Sequence, residues 1–255
     1  MKKILTALSI GVSLMAATSS YADTFLSDNF DSYPNGALVG QGGWLQTSTI
    51  NTNPIQVSGG AVVMGTAGGQ DVYDPFATTI SMTLADQVVT STMDITVASA
   101  KSGGDYFFHL SNPAGTTTNF YNRLFIKTSG SGYVLGIAGG VTGATTATYG
   151  TTVLSFASLT TVSTVWTSVA GGNDTIDIYV NGSSYLTGYS FADAGGITTL
   201  AAANFRQGGT TTSPGLTIDN LSITAVPEPH EYGMAIAGML VALVVVRRRK
   251  AALFS

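Results

Sequence analysis

The chain has no cysteine, which excludes both a disulfide framework and any thiolate metal site. Glutamate is nearly absent: the only two, Glu228 and Glu231, stand close to the C-terminus. The long stretch before them therefore offers no glutamate pair for acid–base work on a glycosidic bond. Charge of either sign is scarce at 9%. Between Asp23 and Val226 the cations are Lys101, Arg123, Lys127 and Arg206, against twelve aspartates, a net charge of about −8. Phosphate backbones are held by clustered cations, so nucleic acid is excluded as a partner. What is abundant is glycine, at 31 residues, with threonine, serine and alanine. That composition describes short strands and tight turns rather than long helices. A length of 255 residues suits one domain plus processing segments.

The first residues, "MKKILTALSIGVSLMAATSSYAD", set Lys2 and Lys3 before an apolar stretch from Ile4 to Ala17. Ser20-Tyr21-Ala22 then places small residues at the −3 and −1 positions. This order predicts a secretory signal peptide over residues 1–22, cut between Ala22 and Asp23. Export through the Sec translocon and cleavage by signal peptidase follow as expectations.

The other end reads "VPEPHEYGMAIAGMLVALVVVRRRKAALFS". Tyr232 to Val246 carries no charge, and as a helix those residues would extend ~22 Å. A bilayer core is ~30 Å thick, so this is a short anchor that needs help from snorkelling of Arg247, Arg248, Arg249 and Lys250. The same four cations act as a stop-transfer signal and stay on the cytoplasmic side. Pro227 and Pro229 fix φ and push Val226 and Glu228 toward extended backbone, the form that a peptidase grips.

This tripartite tail resembles the PEP-CTERM sorting signal of exopolysaccharide-producing Gram-negative bacteria: Pro227-Glu228-Pro229, the apolar run 232–246, and the basic cluster 247–250. The resemblance implies a transient anchor in the inner membrane and handling by an exosortase, a membrane peptidase, with release to the cell surface or exterior. His230-Glu231-Tyr232 stands where many members have Ser or Thr, which leaves the cleaved bond open. The expected organisation is thus a signal peptide over 1–22, a body over 23–225 and a sorting segment over 226–255.

In the body, short branched and aromatic runs alternate with Gly, Asn, Asp and Ser clusters, as in "TISMTL", "DYFFHL", "NRLFIK", "TIDIYVNG" and "LTIDNLSIT". Such spacing predicts an all-β, antiparallel sandwich. Ile176, Ile178 and Val180 should face the core, with Thr175, Asp177 and Tyr179 opposite, because strand side chains alternate. In "LTIDNLSI" the apolar phase slips at Asp219-Asn220, which predicts a bulge. The segment "VSTVWTSVAGGNDTIDIYVNG" is similar to concanavalin A-like, laminin-G-like jelly rolls, on Trp166, Tyr179, Val180, Asn181 and Gly182. The first and last body strands likewise resemble jelly-roll domains found beside the sorting signal.

Candidate site residues are few. Val165 and Val169 are expected on one face of their strand and Thr164, Trp166 and Ser168 on the other, so that Trp166, with Tyr179, is available to stack on a sugar; alternatively Trp166 packs beneath a loop. Phe107, His109, Arg123, Phe125 and Lys127 fall on the less apolar faces of their strands. His109 is the body's one histidine, with no arginine strand expected beside it, and no residue is assigned a catalytic role. Asp28, Asp31 and Asp219, with Asn220, are candidate calcium ligands or else turn-capping and solvated aspartates. With the resemblance to PEP-CTERM proteins, the residues imply an exported, exopolysaccharide-associated surface or matrix protein that binds a polysaccharide or other matrix protein. The acid balance of the body points to a neutral or cationic glycan. A secreted carbohydrate-active enzyme and a purely structural matrix protein are the competing readings.

Overall fold

The computed structural model describes residues 22–47, 53–66, 69–83, 86–116, 119–140, 146–169, 172–192, 197–207 and 214–226. The stretches expected to be a signal peptide, through Tyr21, and a sorting signal, from Pro227 onward, lie outside them. Among the described residues there are sixteen strands and no helix, and the compact unit runs from Asp23 to Ala225. In chain order the strands are β1 (Asp23–Asp28), β2 (Gly36–Ala37), β3 (Leu45–Gln46), β4 (Gln56–Ser58), β5 (Ala61–Met64), β6 (Gln70–Ser81), β7 (Val88–Ser99) and β8 (Asp105–Ser111). There follow β9 (Phe120–Ser129), β10 (Gly132–Ala138), β11 (Thr148–Tyr149), β12 (Leu159–Thr167), β13 (Asn173–Val180), β14 (Ser183–Ala192), β15 (Thr199–Gln207) and β16 (Gly215–Val226).

The strands form two sheets. One has nine strands in the order β14-β13-β12-β7-β16-β5-β4-β2, with β1 also paired to β16; the other has seven in the order β11-β10-β9-β8-β15-β6-β3. Neighbours pair antiparallel, as between β12 and β7 or β15 and β6. The result is the two-layered sandwich that the strand spacing predicted, of the jelly-roll kind. Sequence and turn agree at the β13–β14 hairpin: Asn181 and Gly182 take φ of 50° and 75°, the two positive values that a two-residue loop matched to strand twist requires.

Alternation fills the space between the sheets. In β13, Ile176 and Ile178 are buried while Thr175, Asp177 and Tyr179 are only partly covered, as expected from the sequence. In β16 both Leu216 and Ile218 and, beyond the slip, Leu221 and Ile223 reach the core. Asn220, at φ 52°, absorbs the extra residue, and β5 pairs with the strand before it while β1 pairs after it.

Two tryptophans anchor this core, each by the same device. Trp44 stacks on Phe205 at 4.7 Å and 9° and donates its indole N–H to Asp28 Oδ2 at 2.9 Å. Trp166 packs against Tyr121 and Phe191 and donates to Asp174 Oδ2 at 3.0 Å. Burying an indole without a partner would cost free energy; the carboxylates remove that cost. Polar ties also join the two sheets. Asn122 on β9 donates to Thr164 Oγ1 on β12 at 2.9 Å. Tyr185 and Tyr189 of β14 accept hydrogen bonds from the backbone N–H groups of Leu135 on β10 and Gly139 just beyond it.

Candidate functional site

Polar and aromatic side chains gather on the outer face of the seven-stranded sheet, on the side away from the sandwich interior. Two irregularities put them there. Strict alternation would send Tyr106 and His109, three residues apart, to opposite faces. The pairing of β8 with β9 shifts register between Tyr106 and Phe108 and again before Leu110, and a bulge of this kind re-aims side chains. Tyr106 and His109 therefore both face outward, while Phe107, Phe108 and Leu110 enter the core. On β9, Asn122 at φ 48° produces the same change of phase between Phe120 and Arg123.

Around these positions Tyr106, Phe120, Phe125 and Ala138 form a second apolar cluster, separate from the main core, with Ala147 and Tyr149 packed against it. Cations lie over its rings. The Arg206 guanidinium carbon is 4.2 Å and that of Arg123 5.7 Å from the Tyr106 ring centroid, and Lys127 Nζ is 4.2 Å from the Tyr149 ring. Such placements are favourable because the ring face carries negative charge. Arg206 stands opposite Asp71 across the β15–β6 ladder, with Nε 3.6 Å from Asp71 Oδ1.

His109 sits in the middle of this group, opposite Asn204 of β15. It lies 4.2 Å from the Phe120 ring and 5.6 Å from Tyr106. It is fully buried, and neither ring nitrogen has a hydrogen-bond partner. Burial, reinforced by Arg206 and Arg123, holds its pKa well below the usual histidine range, so the imidazole is neutral. Burial pushes the Tyr106 phenol up, against the pull of Arg206, and keeps it protonated. Asp71 is also raised by burial, with Arg206 opposing and Asp105 adding to the rise.

Several expectations from the sequence need correction. Trp166 is fully buried between the sheets, so it presents no stacking surface. On β12 the inward positions are Thr160, Val162, Thr164 and Trp166, and Val165 faces outward, the reverse of the polar face assigned to Trp166. Tyr179, half-buried on β13, belongs to the nine-stranded sheet and is remote in topology from the aromatic cluster. The expectation that no arginine strand adjoins His109 also fails, because β9 with Arg123 and β15 with Arg206 flank β8 on its two sides. Phe107 belongs to the core, whereas His109, Arg123, Phe125 and Lys127 do share one face.

The candidate calcium ligands are engaged otherwise. Asp28 Oδ1 accepts from the Phe30 backbone N–H, and Oδ2 accepts from the Tyr33 hydroxyl and the Trp44 indole. Asp31 accepts from Asn29, and Asp219 from the Asn220 backbone. Among the described residues no group of three His, Asp or Glu side chains is arranged to hold a metal ion. The capping reading of these aspartates fits their contacts.

Tyr106, Asn204, Arg206, Asp71 and Tyr149 were not singled out from the sequence. One signal could have found Arg206: it is one of only four cations in the body.

The class that this geometry defines is an all-β jelly-roll sandwich with a polar, aromatic outer face on its seven-stranded sheet. No protein-family model matches the chain, and no curated protein matches it by sequence. Solved structures do. The alginate lyase Aly36B, in complex with an alginate tetrasaccharide, is 15% identical with a TM-score of 0.51, covering 78% of this chain and 95% of its own. The conserved carbohydrate esterase of Shiga toxin-encoding bacteriophage phi24B is 12% identical with a TM-score of 0.53, covering 81% and 100%. The CBM2 module of the Lactobacillus casei BL23 phage J-1 evolved Dit is 10% identical with a TM-score of 0.52, covering 81% and 97%. At these identities the likeness is one of fold.

Proposed function

We propose that this chain is an exported, non-enzymatic glycan-binding protein of the cell surface or extracellular matrix. In this reading it crosses the inner membrane of a Gram-negative bacterium, is held briefly by its C-terminal segment and is released by an exosortase beside an exopolysaccharide. One observation carries the binding reading. Arg123, Lys127 and Arg206, three of the four cations in an acidic body, share the outer face of one sheet with Tyr106 and Tyr149. Tyr106 and Arg123 are themselves buried, so the half-buried Arg206, Lys127 and Tyr149 are what this face presents, and such aromatic and cationic groups are the chemistry that holds sugar rings. The carbohydrate-active and carbohydrate-binding proteins that share the fold agree with it at a coarse level. The Pro227-Glu228-Pro229 motif and the two terminal apolar runs support the export route.

A carbohydrate-active enzyme is the second reading, favoured by the placement of His109 between two arginine-bearing strands. Against it, His109 is wholly covered, and a general base must come within hydrogen-bond reach of the proton it takes. Glycan-array binding by the purified full-length chain, run beside a polysaccharide-degradation assay, tests both. Binding without product supports the proposal; shortened or unsaturated oligosaccharides that vanish in His109→Ala support the enzyme.

A further inference from the structure

We infer that the outer face of the seven-stranded sheet takes an anionic saccharide, one bearing carboxylate or sulfate groups, with Arg206 as the residue that grips the anion and Asp71 as the internal carboxylate it releases. This rests on the carbohydrate-binding reading and narrows it.

The body as a whole is acidic, which at long range favours neutral or cationic ligands. Contact range is governed by different charges. At 0.15 M ionic strength, exposed charges more than about 8 Å apart are largely screened, so a ligand on this face meets the half-buried Arg206 and Lys127 first, with the buried Arg123 behind them. The carboxylates near them are Asp71 and Asp105, both of which act on the Tyr106 phenol.

Arg206 is the accessible member, with 29% of its side chain exposed and 23% of that of Asp71. Their Nε–Oδ1 separation of 3.6 Å is longer than a hydrogen bond, which for N–H to O runs to about 3.2 Å. The guanidinium is thus neighboured by Asp71 without being clamped by it. Its guanidinium carbon lies 4.2 Å from the Tyr106 ring centroid, a cation–π contact; paired N–H donors are what a guanidinium offers an anion. Asp71, raised by its own burial, holds its charge at a cost and is a weak competitor for Arg206.

The test is calorimetric titration of the purified full-length chain with tetragalacturonate, a sulfated galactan tetrasaccharide and the neutral galactan tetrasaccharide. At least one anionic sugar is expected to bind about tenfold more tightly than the neutral one at low salt, the gap closing as salt rises; which of the two binds identifies carboxylate or sulfate. Arg206→Gln should weaken that binding about tenfold or more. Asp71→Asn, which removes the internal competitor and keeps the shape, should strengthen it several-fold, a gain that damaged folding cannot imitate. Equal affinity for the neutral sugar, unchanged in both variants, overturns this inference and leaves the carbohydrate reading standing. Failure of wild type and Asp71→Asn to bind any saccharide on the titration or on a glycan array overturns both.

Discussion

Trp166 donates its indole N–H to Asp174 Oδ2 at 3.0 Å, and Asp174 returns its other oxygen to the backbone N–H of Val169. One carboxylate thus fixes a fully buried ring and the end of the strand that carries it. Trp166→Ala should cost about 3–5 kcal/mol through the cavity it opens. Trp166→Phe should cost about 1–3 kcal/mol, mostly for the unpaired carboxylate. Urea denaturation of the two variants measures this, and wild-type stability in Trp166→Ala would contradict the core placement.

Asp74 gives the fold a predictable acid response. Burial, with the nearby Asp28 charge adding, raises its pKa to about 6, above an unfolded value near 3.9. The folded state therefore binds the proton more tightly, and this contribution is full below about pH 4 and lost as pH rises through 6. Asp74→Asn should flatten stability across that window and stabilise the protein at pH 8, by at most about 3 kcal/mol. Thermal melts from pH 4 to 8 decide it; a variant less stable than wild type at pH 8 would oppose it.

Binding of an anionic sugar should also depend on pH through Asp71. The groups facing it are Arg206, Asp105 and Tyr106. Protonating Asp71 frees Arg206, so affinity should rise as pH falls toward the raised Asp71 pKa, then fall once the sugar carboxyl protonates. In Asp71→Asn the rise should vanish. An identical rise in that variant would exclude Asp71 as its source.

Because Asp28 uses both oxygens on Phe30, Tyr33 and Trp44, calcium should not stabilise the body. The melting temperature is expected to be the same in calcium and in chelator; a clear upward shift with calcium would restore the metal reading by mass action.

Replacing Pro227, Glu228 and Pro229 together by alanine should leave the precursor membrane-bound and uncleaved, since the extended grip is lost. Intact mass measurement of cell and medium fractions reads this directly, and normal release of the triple variant would remove the exosortase step.

Where the strands alternate cleanly, the fold was legible. Ile176 and Ile178 went inward as their spacing required, and the slip at Asp219-Asn220 became a residue at positive φ. The facing of Trp166 was not legible, because "STVWTSVA" offers two phases and the apolar count favours Val165 and Val169 inside. Thr164 tips the balance: Asn122, from a strand distant in sequence, satisfies its hydroxyl inside the sandwich. The outer face was hidden for a similar reason. Its residues come from β6, β8, β9, β10, β11 and β15, and only the order of strands in the sheet brings Arg206 over Tyr106. A bulge at Phe107 then turns Tyr106 and His109 to one side, which alternation alone forbids.

The central claim is that this outer face holds a saccharide, and a crystal structure of the chain with the tightest-binding array sugar tests it most directly. Sugar density is expected along the half-buried Arg206 and Lys127 of this face, with an anionic group at Arg206 and Asp71 turned away. Density on the nine-stranded sheet or at the loops between the sheets, with the Arg206–Asp71 pair undisturbed, would contradict it.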